Sequence, residues 1–362
     1  KGGDAIDLVM RWKGLEFVEA VKWLADTYRV PMDRLNWTPE SIEKHQREVS
    51  VSELLTRAAK FYAARLWATD ADGRPLNATA VEYVFKRGFT ERQLVWAQWG
   101  YSGADDALLK AITRDAPEML PLAREIGLIR ADGTDFCANA NGDKVSPEGW
   151  IVFPHVVSGK VGYFSARALN KETKDKSRNL PGPRQIYRAD TDIRYKEAVI
   201  DEKTNATKMV ERRFELRDDG LIIVEGPSDA ESVRSWGWPA WAMCGSPVKE
   251  DTNPNLVDDL RKRSKEQTLY AAMSNDAAGR KYADDFGDTI GPLTRVVFWP
   301  KRDDEKKSDA NQCLQRGMDE DAITELFDTS ETYLDLVIKK VAGLRDVRKK
   351  ADGIERLASM VC

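Results

Sequence analysis

Short continuous apolar runs recur in the second half of the chain and indicate buried strands. Residues 221–224 are Leu-Ile-Ile-Val, and four consecutive branched apolar side chains favour a strand buried on both faces, as in a parallel sheet. Similar runs occupy 269–273 and 296–299, with plausible helices between them. This alternation of strand and helix predicts a doubly wound α/β domain.

Each of the three predicted strands is followed by polar or acidic residues. These residues are Glu225, Asp229, Ser274, Asp276, Asp309 and Asn311. Because ligand sites in parallel sheets lie at the carboxyl ends of strands, Glu225 and Asp229 after the first strand are candidates for a metal site. The alternative is a set of ordinary strand-to-helix turns with solvated acids. Gly226 permits a sharp turn, and Ser228 is expected to cap the next helix.

Helical spacing dominates the first hundred residues. Residues 4–28 fit two short helices, and 31–49 are charged and are predicted to be a linker. Residues 50–53 (Ser-Val-Ser-Glu) fit a capping box that opens a further helix. Two more helices fit 79–87 and 90–97, the second of them capped by the threonine at its first position.

The middle of the chain favours a β-hairpin. The runs 150–154 and 161–164 flank a turn at 158–159. His155 is expected to be structural, since no second histidine or cysteine accompanies it. Residues 189–218 are charged and lack clear periodicity, so we interpret them as an insertion or a mobile excursion before the next strand. After residue 311 the chain is predicted to be helical to its end.

Composition fits a globular protein. The 362 residues are 42% hydrophobic and 32% charged, with room for two or three domains. No apolar run approaches the roughly 20 residues of a membrane helix and no signal peptide opens the chain, so we expect a cytoplasmic location without a membrane partner. The four cysteines form no Cys-x-x-Cys pair and are expected to be free thiols. The chain starts with lysine rather than methionine and is therefore expected to be a fragment.

Positive charge is concentrated in one segment. The net charge is −4, but residues 160–188 contain eight basic and two acidic residues. Proline and glycine make the segment mostly loop. Loops rich in arginine and lysine hold phosphate groups, although a solvated loop fits the composition equally well.

The order of these features resembles a known family. A glutamate after one strand, an acidic pair after a later one and a further acidic cluster resemble the Toprim domain. Residues 165–169 (Ser-Ala-Arg-Ala-Leu) and 176–181 (Lys-Ser-Arg-Asn-Leu-Pro) resemble stretches that carry template and nucleotide phosphates in bacterial DnaG-type primases. Residues 2–9 resemble the segment after the last zinc-binding cysteine of that family, and 84–101 its helical entry to the polymerase core.

The resemblance, which runs from residue 2 to about 360, implies a mixed α/β architecture. A Toprim doubly wound α/β domain would be flanked by an N-terminal helical and β subdomain and a C-terminal helical bundle. The implied divisions are 1–30 for the tail of a zinc-binding module, 31–49 for a linker, 50–218 for the N-terminal subdomain with the basic segment, 219–316 for the Toprim domain and 317–362 for the C-terminal helices.

The resemblance also implies an activity, the synthesis of short RNA primers on a single-stranded DNA template from ribonucleoside triphosphates. Two Mg²⁺ or Mn²⁺ ions would stabilise the attacking and leaving oxygens. The implied metal ligands are Glu225, Asp276, Asp309, Asn311 and Ser274, with Asp229 in a supporting catalytic role. The implied nucleic-acid and nucleotide-binding residues are Lys160, Arg167, Lys176, Arg178 and Asn179. Zinc ligands would lie upstream, so no zinc is expected in this fragment, and a replicative helicase would bind regions outside it.

Two positions depart from the family pattern and leave alternatives open. Ser274 stands where the family has the first aspartate of its Asp-x-Asp pair, and Asn311 stands where it usually has a second acid. A hydroxyl is a poorer magnesium ligand than a carboxylate, so a non-catalytic or weakened nucleic-acid-binding module is one alternative. A Toprim nuclease or topoisomerase is another, although the sequence shows no Walker-type ATPase motif and no nucleophilic tyrosine in a recognisable context.

Overall fold

The computed structural model describes residues 5–15, 17–29, 39–103, 105–137, 148–157, 159–170, 176–200, 207–344 and 347–361. The chain divides into two compact units, residues 1–55 and residues 56–362. The first unit contains two helices and the beginning of a third. The second contains the sheets and the remaining helices.

Helices occur along the whole described part of the chain. They are α1 (Ala5–Lys13), α2 (Phe17–Tyr28), α3 (Pro39–Leu66), α4 (Ala78–Lys86), α5 (Glu91–Trp96), α6 (Ala107–Asp115), α7 (Leu120–Glu125), α8 (Pro227–Ser235), α9 (Pro254–Arg263), α10 (Ala277–Ile290), α11 (Ala310–Gln315), α12 (Glu320–Asp328), α13 (Tyr333–Ala342) and α14 (Val347–Val361). Over the described residues, no helix has both the length and the apolar character needed to cross a membrane.

The strands of the same residues form three sheets. They are β1 (Gly100–Tyr101), β2 (Trp150–Val157), β3 (Lys160–Ala168), β4 (Ser177–Asn179), β5 (Tyr187–Ala189), β6 (Ile193–Ile200), β7 (Thr207–Phe214), β8 (Gly220–Val224), β9 (Ala240–Ala242), β10 (Thr268–Ala271), β11 (Arg295–Val296) and β12 (Glu331–Thr332).

The largest sheet has six strands in the order β12-β11-β10-β8-β9-β5. Strands β11, β10, β8 and β9 are parallel, and the edge strands β12 and β5 are antiparallel. The chain moves from β8 to β9 on one side and then to β10 on the other, so the strand order reverses between β8 and β10. This reversal is the point at which doubly wound sheets bind ligands. The predicted α/β architecture is confirmed.

Strand β8 is buried on both faces, as its apolar run predicts. Ile222 and Val224 pack into one core with residues of the four-stranded sheet, including Phe153. Leu221 and Ile223 pack into a second core on the opposite face. Two cores on either side of one strand fix its end firmly, which matters for the residue that follows it.

A four-stranded antiparallel sheet, β1-β2-β3-β4, lies beside the first core. The predicted hairpin is confirmed, since β2 and β3 pair over their full length. Gly159 begins the return with φ +76°, a backbone conformation that favours glycine. Strand β4 then pairs with the end of β3.

Helix α3 corrects one prediction. It begins at Pro39, so residues 39–49 of the predicted linker are helical and no capping box opens a helix at 50–53. Ser50 instead donates its hydroxyl hydrogen bond to the Gln46 carbonyl inside the helix. A proline is tolerated in a first helical turn, and charged residues suit an exposed helix, so neither signal marks a break. The helices predicted at 79–87 and 90–97 are confirmed, including a capping box at Thr90.

Residues 189–218 contain regular structure that the sequence pattern does not predict. Strands β6 and β7 form a separate two-stranded antiparallel sheet there, with Ile193 opposite Phe214 and Ile200 opposite Thr207. This sheet depends on pairing between two segments, which periodicity within one strand does not reveal. The third apolar run contributes a shorter strand than predicted, β11, and the two-residue β12 interrupts the helices of the C-terminal region.

Candidate active site

Glu225 lies directly after β8 with its backbone held and its side chain exposed. The pairing with β9 continues past the strand, since Met243 donates its N–H to the Val224 carbonyl at 2.9 Å and Cys244 donates to the Glu225 carbonyl at 3.0 Å. The Glu225 carboxylate projects from this fixed backbone. A rigid main chain with an exposed carboxylate suits cation binding.

Helix α8 begins two residues later, and its start corrects the expected role of Ser228. Gly226 is the N-cap and Pro227 the first helical residue. Asp229 Oδ2 accepts a hydrogen bond from the Gly226 N–H at 3.2 Å, so Asp229 rather than Ser228 makes the side-chain hydrogen bond at the start of α8. Asp229 is therefore anchored beside Glu225.

The second polar cluster reaches the first through Ser274. This buried serine donates its hydroxyl to Glu225 Oε2 at 2.6 Å. Asp276 is the N-cap of α10 and accepts the Gly279 N–H at 2.8 Å. A Cβ at position 279 would lie 1.9 Å from the Ser274 carbonyl oxygen, so only glycine permits this tight approach. Ser274 thus faces Glu225, where the sequence resemblance places a carboxylate.

The third cluster is joined to the second by backbone hydrogen bonds. Asn275 donates its N–H to the Ser308 carbonyl at 2.7 Å, and its side chain donates to the Trp299 carbonyl. Asp309 is the N-cap of α11 and accepts the Gln312 N–H at 2.8 Å. All three strand-end clusters therefore meet at one edge of the sheet.

Asn311 occupies a different position from that expected of a metal ligand. It is buried, and its amide oxygen accepts hydrogen bonds from Arg87 at 3.1 Å and Gln315 at 2.8 Å. Its amide nitrogen donates to the Arg87 carbonyl and the Ser232 hydroxyl. Its backbone N–H donates to Asp229 Oδ1 at 3.2 Å. These bonds give Asn311 a structural role behind the carboxylates rather than a place among the ligands.

The carboxylates repel one another. Burial raises the pKa of Asp229 well above its ordinary value, and the neighbouring carboxylates of Asp309 and Glu225 raise that pKa further. The Asn311 N–H acts in the opposite direction. A cation bound among these groups would remove the repulsion, because opposite charge favours the ionised form of a carboxyl.

The basic residues of the site come from the four-stranded sheet, and strand register places them. Arg167 lies opposite Ser177, Ala166 opposite Arg178, and Ser165 opposite Asn179. Arg167 donates a hydrogen bond to the Ser177 hydroxyl at 3.1 Å. Because side chains alternate between the two faces of a strand, Arg167 and Ser177 share one face of the sheet with Ser165 and Asn179, and Arg178 lies with Ala166 on the other face.

One pocket contains both sets of residues. Its lining includes Glu225, Asp229 and Asp309, which we call the acid wall, and Arg167, Arg178 and Asn179, which we call the basic wall. The pocket lining therefore combines carboxylates with basic residues. Metal-bound phosphate is a ligand that needs both.

Besides Asn311, four predicted residues do not line this pocket. Lys160 lies opposite Val157 at the far end of the hairpin, about 23 Å along β3 from Arg167 at a strand rise near 3.3 Å per residue. Lys176 precedes β4 and is exposed. Asp276 and Ser274 are also outside the lining, although Ser274 bonds to Glu225.

The pocket lining also includes Arg87, Lys307 and Cys244, to which the sequence analysis assigns no role in the site. Arg87, at the end of α4, donates to Asn311 and to the Tyr83 hydroxyl. Lys307 precedes the third cluster, and Cys244 follows β9. The pair of lysines before Asp309 was a signal for Lys307, whereas Arg87 is separated from the acids by more than 130 residues and had none.

The predictions for His155 and for the described cysteines are confirmed. His155 is fully buried, and its two ring nitrogens lie 3.1 Å from the Ile186 carbonyl and 2.9 Å from the Ser165 hydroxyl. Burial lowers the pKa of His155 to about 4, so the ring is neutral and structural. Cysteines 137, 244 and 313 are free thiols, and Cys362 lies outside the described residues.

The donor set of the acid wall fits a hard divalent cation. Among the described residues, no group of three or more histidine, cysteine, aspartate or glutamate side chains is close enough to enclose a metal ion. Magnesium, however, is usually bound by one or two carboxylates and retains several waters.

The hydrogen bonds of the acid wall indicate which carboxylates could serve. Glu225 Oε2 accepts a hydrogen bond from the Ser274 hydroxyl, and Asp309 Oδ1 accepts one from the Gln312 N–H at the start of α11. The second oxygen of each carboxylate is therefore available for a cation or for a water bound to that cation. Asp229 accepts hydrogen bonds on both oxygens, from Gly226 and from Asn311. Glu225 and Asp309 are therefore the better ligands, and Asp229 suits a supporting role.

Sequence comparison finds relatives but no matching family model. A DNA primase of Chlamydia muridarum is 24% identical over 368 residues, which cover 99% of this chain and 54% of the relative. A DNA primase of Listeria innocua is 24% identical over 275 residues, covering 73% of this chain and 39% of the relative. The chain spans about half the length, or less, of these curated relatives.

Solved structures have the same fold. The zinc-binding and RNA polymerase domains of the Aquifex aeolicus primase match 99% of this chain and 78% of their own, with a TM-score of 0.59 and 18% identity. A DnaG primase catalytic domain bound to single-stranded DNA matches 87% of this chain and 89% of its own, with a TM-score of 0.60 and 18% identity. The resemblance to DnaG-type primases is confirmed, and the chain has the fold of their polymerase core.

Proposed function

We propose that this chain is the nucleotide-joining core of a DnaG-type primase. It would join ribonucleoside triphosphates into short RNA primers on a single-stranded DNA template. The observation that carries the proposal is the one pocket lined by both walls, at the reversal of strand order in the six-stranded sheet. The primase relatives and the fold of primase catalytic domains support it.

The acid wall would hold the metal. Glu225 and Asp309 would bind Mg²⁺ or Mn²⁺ directly or through water, Asp229 would support them, and Asp276 would complete the shell from α10. When bound, the cation stabilises negative charge on the attacking and leaving oxygens of the transfer. The protein's own contribution is to fix Asp229, Asp276 and Asp309 at the starts of α8, α10 and α11, and Glu225 through the Ser274 hydroxyl.

The basic wall would hold the template and the triphosphate. Arginine recognises phosphate through paired N–H donors, and Arg167 and Arg178, which are on neighbouring strands, both line the pocket. Lys176 and Lys160 would extend the basic surface away from the pocket. Because Lys160 is far from the reacting atoms, its contact would be with template backbone rather than with the nucleotide.

A second candidate function is a non-catalytic nucleic-acid-binding module. The observation that favours it is the Ser274 hydroxyl, which occupies the place of a carboxylate and donates to Glu225. A nuclease at the same pocket is a third possibility. No observation supports either of them better than primer synthesis.

One assay separates the three. Purified protein is incubated with single-stranded DNA and labelled ribonucleoside triphosphates, in magnesium and separately in manganese. We expect short RNA products that depend on both template and cation. Shortened template would indicate a nuclease, and unchanged DNA with no product would indicate a binding module.

We also propose the domain divisions that the resemblance implies. Residues 1–30 would be the tail of a zinc-binding module and 31–49 its connection to the core. Residues 50–218, 219–316 and 317–362 would be the three parts of the polymerase core. Contact with a replicative helicase would involve regions outside this chain.

A further inference from the structure

Ser165 is a pocket residue to which the proposed function assigns no role. It shares a face of β3 with Arg167, and its cross-strand partner on that face is Asn179. All three residues line the pocket. Ser165 is only 6% exposed, so a hydrogen bond between this serine and a ligand is largely shielded from water. Whether its hydroxyl donates or accepts therefore affects what the pocket binds.

The ring of His155 decides between these two roles. Its Nδ1 lies 3.1 Å from the Ile186 carbonyl oxygen, which can only accept a hydrogen bond, so the single N–H of the neutral ring is on Nδ1. Its Nε2 then carries a lone pair and lies 2.9 Å from Ser165 Oγ. The Ser165 hydroxyl therefore donates its one hydrogen to His155. The low pKa that burial gives His155 keeps the ring in this neutral form near neutral pH.

With its hydrogen donated to His155, Ser165 Oγ has only lone pairs to offer the pocket. Among the described residues, this oxygen makes no hydrogen bond other than the one to His155. An oxygen of this kind repels the oxygens of a phosphate group and accepts a hydrogen bond from a donor. The donors of a nucleotide are the ribose hydroxyls and the N–H groups of the base.

Spacing along β3 favours the ribose over the base. Ser165 and Arg167 are two residues apart, about 7 Å at a strand rise near 3.3 Å per residue. Arg167 is a proposed contact of the triphosphate, and a ribose hydroxyl is separated from the phosphates by little more than the sugar ring. The amino groups of the base lie beyond the sugar. A nucleotide whose phosphates contact Arg167 therefore brings its ribose closer to Ser165 than its base.

We propose that Ser165 accepts a hydrogen bond from a ribose hydroxyl of the bound nucleotide, and that His155 is the positioning residue that keeps Ser165 an acceptor. The inference deepens the proposed function and rests on it for the class of ligand, a ribonucleoside triphosphate. His155 acts only through the serine. The contact gives the pocket a preference for a ribonucleotide over an analogue that lacks the hydroxyl.

Calorimetry in the presence of Mn²⁺ tests the contact without turnover. The ligands are ATP, its 2′-deoxy and 3′-deoxy analogues, which distinguish the two hydroxyls, and the ATP analogue without the amino group of the base. We expect the wild-type chain to bind ATP roughly fivefold more tightly than one of the two deoxy analogues, the equivalent of about one neutral hydrogen bond. In Ser165→Ala this preference should disappear, because the analogue and the variant each remove one partner of the same bond.

Two further variants separate this contact from general packing. Ser228→Ala removes another serine of the pocket lining and should leave the ratio of ATP affinity to deoxy-analogue affinity unchanged. His155→Phe fills the space of the ring without a nitrogen, so the Ser165 hydrogen is no longer held and the ratio should fall. A purely structural effect of this variant would weaken the binding of every nucleotide equally. Circular dichroism checks that each variant is folded.

The position of the histidine hydrogen is measured separately by nuclear magnetic resonance. The chain contains only two histidines, His45 and His155, so labelling histidine with ¹⁵N gives few ring signals to assign. We expect a protonated Nδ1 and an unprotonated Nε2 for His155 near neutral pH. This measurement uses the wild-type chain and depends on neither a variant nor a nucleotide.

Several outcomes would overturn the inference. They are a protonated Nε2 in His155, a wild-type chain without preference for ATP over either deoxy analogue, and a preference that persists in Ser165→Ala. A preference for the amino group of the base that Ser165→Ala abolishes would assign the hydrogen bond to the base and contradict the inference as well. Failure of the proposed function looks different. In that case the preference for the hydroxyl is present and depends on Ser165, but no RNA forms on single-stranded DNA.

Discussion

The two walls of the pocket are built in different ways. The acid wall comes from the ends of strands in one parallel sheet, and each carboxylate is fixed by a helix entry or a neighbouring hydroxyl. The basic wall comes from two antiparallel strands, and cross-strand register decides which side chains face the pocket. The acid wall is thus set by local sequence, whereas the basic wall is set by pairing between distant segments.

This difference predicts a division of labour. Groups at helix entries are held rigidly and suit cation binding, which requires precise ligand positions. Groups on a strand surface next to a loop suit an extended polyanion, whose contacts are numerous and individually weak. Changes in the acid wall should therefore abolish chemistry, and changes in the basic wall should weaken binding.

The largest effect is expected for Glu225→Gln. Removing one negative charge from an exposed side chain barely alters volume, so the fold should persist while cation binding fails. We expect primer synthesis to fall on the order of a thousandfold, with template affinity nearly unchanged. Glu118→Gln, an exposed glutamate outside the pocket, is the matched control. Wild-type rates for Glu225→Gln at saturating magnesium would remove Glu225 from the site.

Low pH should lower the stability of the fold through His155, which contacts Ser165 in β3, one of the two strands of the basic wall. Because burial lowers the folded-state pKa of His155 to about 4, the unfolded chain binds this proton more readily than the folded chain between about pH 6.5 and 4. Its contribution to stability is complete above pH 6.5 and is lost as the pH falls towards 4.

Across that range the loss should approach about 3 kcal/mol in the free energy of unfolding. Urea denaturation of the wild type and of His155→Gln at a series of pH values measures it. The variant should show a flatter dependence on pH. Parallel curves for the two proteins would mean that His155 does not titrate as its burial requires.

The affinity for single-stranded DNA should depend more on Arg167 and Arg178, which line the pocket, than on Lys160, which does not. Arg167→Ala and Arg178→Ala should each weaken single-stranded DNA binding roughly tenfold and reduce the slope of log affinity against log salt by about one unit. Lys160→Ala should change the affinity less, because Lys160 is at the other end of β3. Fluorescence anisotropy at several salt concentrations measures all three. A larger effect for Lys160 than for both arginines would reverse the assignment of the basic wall.

The substitution Ser274→Asp tests the acid wall by placing a further carboxylate next to Glu225. A carboxylate there would face Glu225 and add one ligand, so divalent-cation binding should tighten and primer synthesis rise about tenfold. Repulsion by Glu225 acts in the opposite direction. Calorimetry with Mn²⁺ and primer yield, measured side by side, decide which effect dominates. No change in either quantity would show that position 274 lies outside the metal site.

The sequence predicts the acid wall better than the basic wall for a physical reason. Glu225 and Asp309 follow apolar strands, so local pattern and the geometry of parallel sheets suffice to bring them together. The same reasoning placed Asn311 among the ligands. In the structure Arg87, more than 200 residues away, donates a hydrogen bond to the amide oxygen of Asn311, which the local pattern does not reveal.

The basic segment shows the limit of composition. Its positive charge was visible, but composition does not give strand register, so Lys160 could not be distinguished from Arg167 and Arg178. The β6–β7 sheet likewise depends on pairing between two segments that are charged and show no clear periodicity in the sequence. Local patterns identify strand ends and caps, whereas contacts between distant segments require the folded chain.

Iron-mediated cleavage tests most directly whether both walls surround one cation. Fe²⁺ bound in place of Mg²⁺ generates hydroxyl radicals with ascorbate and peroxide, and these cut the backbone near the metal. We expect cuts in the acid wall at 225–229 and 307–309 and in the basic wall at 165–167 and 177–179, all lost in Glu225→Gln. Cuts confined to the separate acidic surface around Glu250 and Asp288, or absent from the basic wall, would contradict the shared site.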